Sequence, residues 1–91
     1  MTAHTIANKE KLLLRIKKIK GQLTSIEKAL EDEQDCFKIL QQISASRGGI
    51  QSLMSEVLDG YVKEHLGSHV DEKQREKEIE NLATLLKSYL K

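Results

Sequence analysis

Ninety-one residues allow one small domain with a limited core, so a second subunit would add to stability. The chain has no proline, 3% aromatic and 32% charged residues, a composition that favours long helices. No apolar run approaches ~20 residues, which excludes a membrane span. A single cysteine excludes an internal disulfide and, with no apolar signal segment at the start, points to the cytoplasm. The net charge of +1 is unevenly placed. Residues 1–28 carry seven basic and two acidic side chains (+5), and residues 29–91 carry eight and twelve (−4). An anionic partner for the first third of the chain follows from that asymmetry.

The first helix is predicted from Thr5, as its cap, to Leu30. Leu12, Ile16, Ile19, Leu23, Ile26 and Leu30 make a heptad seam. Gly21 interrupts it at a cost of ~1 kcal/mol relative to alanine, which a close helix crossing would explain. Glu31 to Asp35 form a polar connector, with Asp35 as the N-cap of the next helix.

A second helix is predicted from Cys36 to His65. One stripe reads Cys36, Leu40, Ile43, Arg47, Ile50, Met54, Val57 and Tyr61, and Ile39, Ser46, Leu53 and Leu58 flank it. Two adjoining apolar stripes imply more than one partner helix. Gly48-Gly49 would let another backbone approach, and a helix that survives them is held by packing. Gly67 is the expected C′ stop. A third helix is predicted from Val70 to Leu90, with Ile79, Leu82, Leu86 and Tyr89 as its apolar stripe. The expected architecture is all-α, a single domain over 1–91 with three helices. The first two would form an antiparallel hairpin, and two hairpins a four-helix-bundle dimer.

A thiolate and imidazoles are good ligands for nickel, cobalt and zinc, which draws attention to His4, Cys36, Tyr61 and His65. Tyr61 and His65 are four residues apart and share a face. Cys36 and His65 lie ~43 Å apart along one helix. They meet only if two copies pair antiparallel, which makes this a site shared between subunits. The plainer readings are a small buried cysteine and solvated histidines.

The basic segment of Arg15, Lys17, Lys18 and Lys20 suits DNA phosphates or is a solvated helix face. Arg47, in an apolar stripe, is either a buried ion pair or a phosphate contact. No catalytic triad, Gly-rich phosphate loop or paired carboxylates are present, so an enzyme is not expected. A purely structural helical module is a further reading of the same pattern.

The run Arg15-Ile16-Lys17-Lys18-Ile19-Lys20-Gly21-Gln22 is followed by Cys36 with Ile39-Leu40-Gln41-Gln42-Ile43, then Arg47-Gly48 and Leu53-Met54-Ser55-Glu56-Val57. Together these segments resemble the CsoR/RcnR/FrmR family of bacterial transcriptional repressors, over nearly the whole chain. The resemblance implies a dimer of dimers that binds double-stranded operator DNA and releases it on binding its effector. It implies ligand positions at His4, Cys36, Tyr61 and His65. The nickel/cobalt branch is the best match, with zinc a lesser option. Tyr61 departs from the histidine usual there, and a tyrosine with a free pKa of ~10 is a poor ligand. The family's DNA surface corresponds to Arg15, Lys17, Lys18, Lys20 and Arg47, with Gln22 and Gln51 nearby. The alternative effector is formaldehyde, acting at Cys36 and a free α-amine at Thr2.

Overall fold

A computed structural model describes residues 3–90, with side chains described from residue 5 onward. Its elements are α1 (Ala3–Ala7), α2 (Lys9–Glu31), α3 (Cys36–His65) and α4 (Glu72–Tyr89), with no strand among the described residues. The third and fourth follow the predicted bounds closely. The first predicted helix is instead two. Asn8 adopts φ −104°, ψ 14° between α1 and α2, and its carbonyl accepts the Leu12 N–H at 2.9 Å. Asparagine side chains compete for backbone hydrogen bonds, so a helix that crosses one breaks easily. Thr5 consequently lies inside α1 rather than capping a longer helix.

The helices α2 and α3 run antiparallel. Lys11 and Arg15, near the start of α2, reach Glu56 in the second half of α3. Further along, a methyl group on Gly49 would lie 3.1 Å from Gln22 Oε1 and 3.2 Å from Ile19 Cγ1. Gly49 therefore admits α2 closely, through side chains rather than backbone. Gly21 and Gly48 face open space in this chain, so the helix crossing expected at Gly21 is not found within it. The last helix, α4, returns along α3, held by Tyr61 and His65 on Glu78.

The resulting body measures 55 × 30 × 13 Å. Along the 13 Å axis there is no second layer of helices to close a core, although a stable domain needs one. Among the described residues, the buried apolar side chains are Ile19 and Ala29. The seam residue Leu23 is 51% exposed, and Leu40, Ile43 and Ile50 of α3 are 56%, 48% and 48% exposed.

The turn between α2 and α3 ends α2 by backbone geometry. Gln34 N–H bonds the Ala29 carbonyl at 2.9 Å, and Glu33 N–H bonds the Leu30 carbonyl at 3.2 Å. This is the Schellman pairing, and Glu33 takes its left-handed position with φ 54°. After α3, by contrast, Gly67 has no positive φ, contrary to its expected C′ role. Leu66 ends that helix with an N–H bond to Val62, and the His69 ring fills the space over Gly67. A left-handed glutamate is strained where glycine is not. Glu33→Gly is therefore expected to stabilise the protein by about 0.5–1 kcal/mol, read as a higher Tm. An unchanged or lower Tm would show that the turn is unstrained.

Candidate effector site and nucleic-acid interface

The C-terminal end of α3 carries a connected polar cluster. Tyr61 and His65 sit one turn apart, with ring centroids 4.7 Å from each other and planes tilted by 41°. Both reach across to Glu78 on α4. The Tyr61 hydroxyl donates to Glu78 Oε1 at 2.9 Å and to the Glu78 carbonyl at 3.2 Å. His65 Nδ1 lies 2.8 Å from Glu78 Oε2, and Asn81 Nδ2 donates to Oε1 at 3.2 Å. His65 and Glu78 are largely shielded from solvent, with side chains 16% and 13% exposed.

These contacts set the protonation of the cluster. The Tyr61 hydrogen bond, with Asn81 and the His65 charge adding to it, holds the Glu78 carboxyl below its ordinary 4.5 although desolvation opposes the shift. Burial pushes the Tyr61 hydroxyl above its ordinary 10.0, and the Glu78 bond and charge push it further. Tyr61 is thus a committed proton donor, and its phenolate form is disfavoured. The carboxylate on Nδ1 orients the imidazole, as carboxylates commonly do behind metal-ligating histidines.

Glu78 and Asn81 were not among the residues singled out from the sequence. Their spacing with Leu82 and Leu85 places them on the apolar face of α4, and a carboxylate on such a face was the available signal.

At the opposite end of α3, Cys36 is exposed in the first turn after Asp35, which caps without a side-chain hydrogen bond. One chain therefore does not bring Cys36 to His65. No group of three or more His, Cys, Asp or Glu side chains suited to a metal ion occurs among the described residues. The His4 side chain and all of Thr2 lie outside the described residues.

The basic candidates divide between faces. Arg15, Lys18 and Gln22 line one groove with Gly48, Gly49 and Ser52. Beside it, Arg15, Gly48, Gln51, Ser52, Ser55 and Glu56 line a second. Lys17 and Lys20 are exposed on α2. Arg47 is exposed rather than buried in an ion pair, and it lines a separate apolar groove with Leu23, Ile26, Ile43, Ile50 and Tyr89. Arg15 is not an open cation, because Glu56 pairs with it and with Lys11, at 2.8 Å from Lys11 Nζ. The Lys11 hydrogen bond, with the two positive charges, holds Glu56 below its ordinary 4.5 despite desolvation.

Residues 8–88 match the family described as metal-sensitive transcriptional repressors. The chain belongs to this family. Among curated relatives, an uncharacterised protein from the bioA 5′ region of Serratia marcescens is 47% identical, covering 98% of this chain and 99% of the relative. The transcriptional repressor RcnR of Citrobacter koseri is 42% identical with the same coverage. A solved structure, a variant of the formaldehyde-responsive regulator FrmR from Salmonella enterica serovar Typhimurium, superposes with a TM-score of 0.82. It is 37% identical and covers 91% of this chain and 94% of that one. The family consists of repressors, which are not enzymes. No helix among the described residues is long and apolar enough to cross a membrane.

Glu78 gives the site a pH signature. Its carboxyl is lowered in the folded state, so the unfolded chain binds more protons just below pH 4.5, and stability rises with pH there. The contribution is complete above the ordinary glutamate range and is lost as pH falls through the lowered value. Melting temperature against pH should therefore fall less steeply on the acid side in Glu78→Gln than in the parent protein. Parallel acid limbs would rule out this linkage.

Proposed function

We propose that this chain represses transcription by binding double-stranded operator DNA, and that it loses that affinity on binding a divalent transition metal, nickel or cobalt before zinc. The metal would be held between subunits by Cys36 of one copy and His65 of another, with His4 and Tyr61 completing the set. The observation that carries this reading is the placement of donors at opposite ends of α3. A half-buried, carboxylate-oriented His65 closes one end, and an exposed Cys36 opens the other.

Thiolate and imidazole donors suit borderline cations, so the residues fit such a group. A bound ion would supply a cross-link between helix ends of different subunits. Tyr61 is the weakest member of the set, because its hydroxyl is already bonded to Glu78. His65 contributes the oriented imidazole. Regulation follows from unequal effector affinity in the DNA-binding and released states.

The half-exposed seam residues of α2 and α3 support antiparallel pairing of two chains, with a dimer of dimers as the full assembly. Arg15, Lys17, Lys18, Lys20, Gln22 and Arg47 are the proposed DNA contacts. Sedimentation should accordingly report about four times the 10.4 kDa chain mass. A species at one chain mass would exclude the shared site altogether.

Formaldehyde is the second reading, favoured by the exposure of Cys36, whose partner would be the Thr2 amine. Fluorescence anisotropy on DNA from upstream of the chain's own gene separates the two, with Ni(II), Co(II), Zn(II) and formaldehyde titrated in parallel. The metal reading expects release by a metal and at least tenfold weaker response in His65→Ala. Release by formaldehyde alone, unchanged in His65→Ala, would transfer the mechanism to Cys36 chemistry. A metal titration that leaves DNA affinity unchanged with Cys36 reduced would falsify metal sensing.

A further inference from the structure

We propose that Glu56 is a built-in competitor for the phosphates that Arg15 and Lys11 would otherwise bind, and that it thereby sets the strength of DNA binding. The inference rests on the DNA-binding reading above and adds a residue that acts against it. Glu56 projects from α3 toward the basic helix, and one carboxylate engages two of that helix's cations. Carboxylate and phosphate oxygens are alternative partners for the same guanidinium. The Lys11 hydrogen bond keeps the carboxyl below its ordinary value, so it is anionic at neutral pH.

The surroundings favour exchange rather than a fixed structural pair. Lys11 and Arg15 are 63% and 40% exposed at the side chain, and Glu56 is 25% exposed. Ion pairs this open to water are screened and hold helices together only weakly. The groove beside Glu56 presents Ser52, Ser55 and Gln51, neutral groups able to donate to a phosphate oxygen. A DNA phosphate entering there would take the two cations from Glu56 and leave the carboxylate to water. That exchange opposes every DNA sequence equally. It lowers affinity for arbitrary duplexes to a level that groove contacts elsewhere must exceed.

A positioning role predicts the opposite sign. If Glu56 merely aimed Arg15 at DNA, removing its charge would weaken binding. The test is fluorescence anisotropy of the parent protein and Glu56→Gln, without effector, across a salt series. Two duplexes are used, the region upstream of the chain's own gene and a scrambled sequence of equal length. Glu56→Gln is expected to bind both duplexes three- to tenfold more tightly. The slope of log affinity against log salt should stay close to the parent's, because the same two cations meet phosphate in either complex. Arg15→Ala should cost more in the Glu56→Gln background than in the parent.

Equal or weaker binding by Glu56→Gln, with the parent still bound, overturns the competitor and leaves the DNA reading intact. Absence of binding by both proteins at low salt overturns both. A measurement on the unmutated protein covers the case of a poorly folded variant. The Glu56 carboxyl, followed by carbon NMR, should move back toward the ordinary glutamate titration range when DNA is added. A carboxyl still held low on DNA also overturns the proposal.

Discussion

Two antiparallel helices joined by a tight turn present one wide apolar face, and a third helix laid along them does not cover it. The 13 Å thickness of the body and the half-exposed Leu23, Leu40, Ile43 and Ile50 express the same constraint. Hydrophobic burial is the main term favouring folding, and little of it is available within one chain. The surfaces left exposed on one chain are the ones that would align α3 with a second copy in the proposed pairing. Stability and the proposed effector site would then come from one act of pairing.

The α3 helix would link the proposed functions because of its length. It separates Cys36 from His65 and, from its middle onward, presents Gly49, Ser52 and Glu56 to the basic helix α2. Near its end it anchors α4 through Tyr61 and His65. A rigid element that touches the Tyr61–His65–Glu78 cluster and the basic groove can carry a change at one to the other. The physical requirement is two arrangements of α2 against α3 with different affinities for each ligand. Glu56 joins α3 to α2, and Glu78 joins α4 to the end of α3, so a shift of α3 would reach both.

Much of this was legible in the sequence. The α3 helix begins at Cys36 and ends at His65 as periodicity and the Asp35 cap indicated. The Asn8 break was hidden because the heptad seam starts only at Leu12, so the pattern said nothing about the preceding turn. Glu33 was hidden in an acidic run where no residue type marks a left-handed backbone. Gly67 misled in the other direction, since its small size serves the His69 ring rather than a positive φ. Most consequential were Glu56 and Glu78. Each lies far along the chain from its partners, 17 residues in the case of Tyr61 and Glu78. Charge counting sees such residues as surface acids, because pairing across helices is a property of the fold. Arg47 stood out in the sequence because it interrupts an apolar stripe, and the structure sets it, exposed, among apolar side chains on a groove separate from that of Arg15.

The thinness of the chain also has a consequence for its supply. A protein that buries its apolar face only against another copy is stabilised by mass action, so its folded fraction depends on its own concentration. Unpaired chains would leave the leucine and isoleucine seams open to solvent. Chains above the dissociation constant of the pairing would be protected. A chain of this construction would respond to its own concentration before it responded to any ligand.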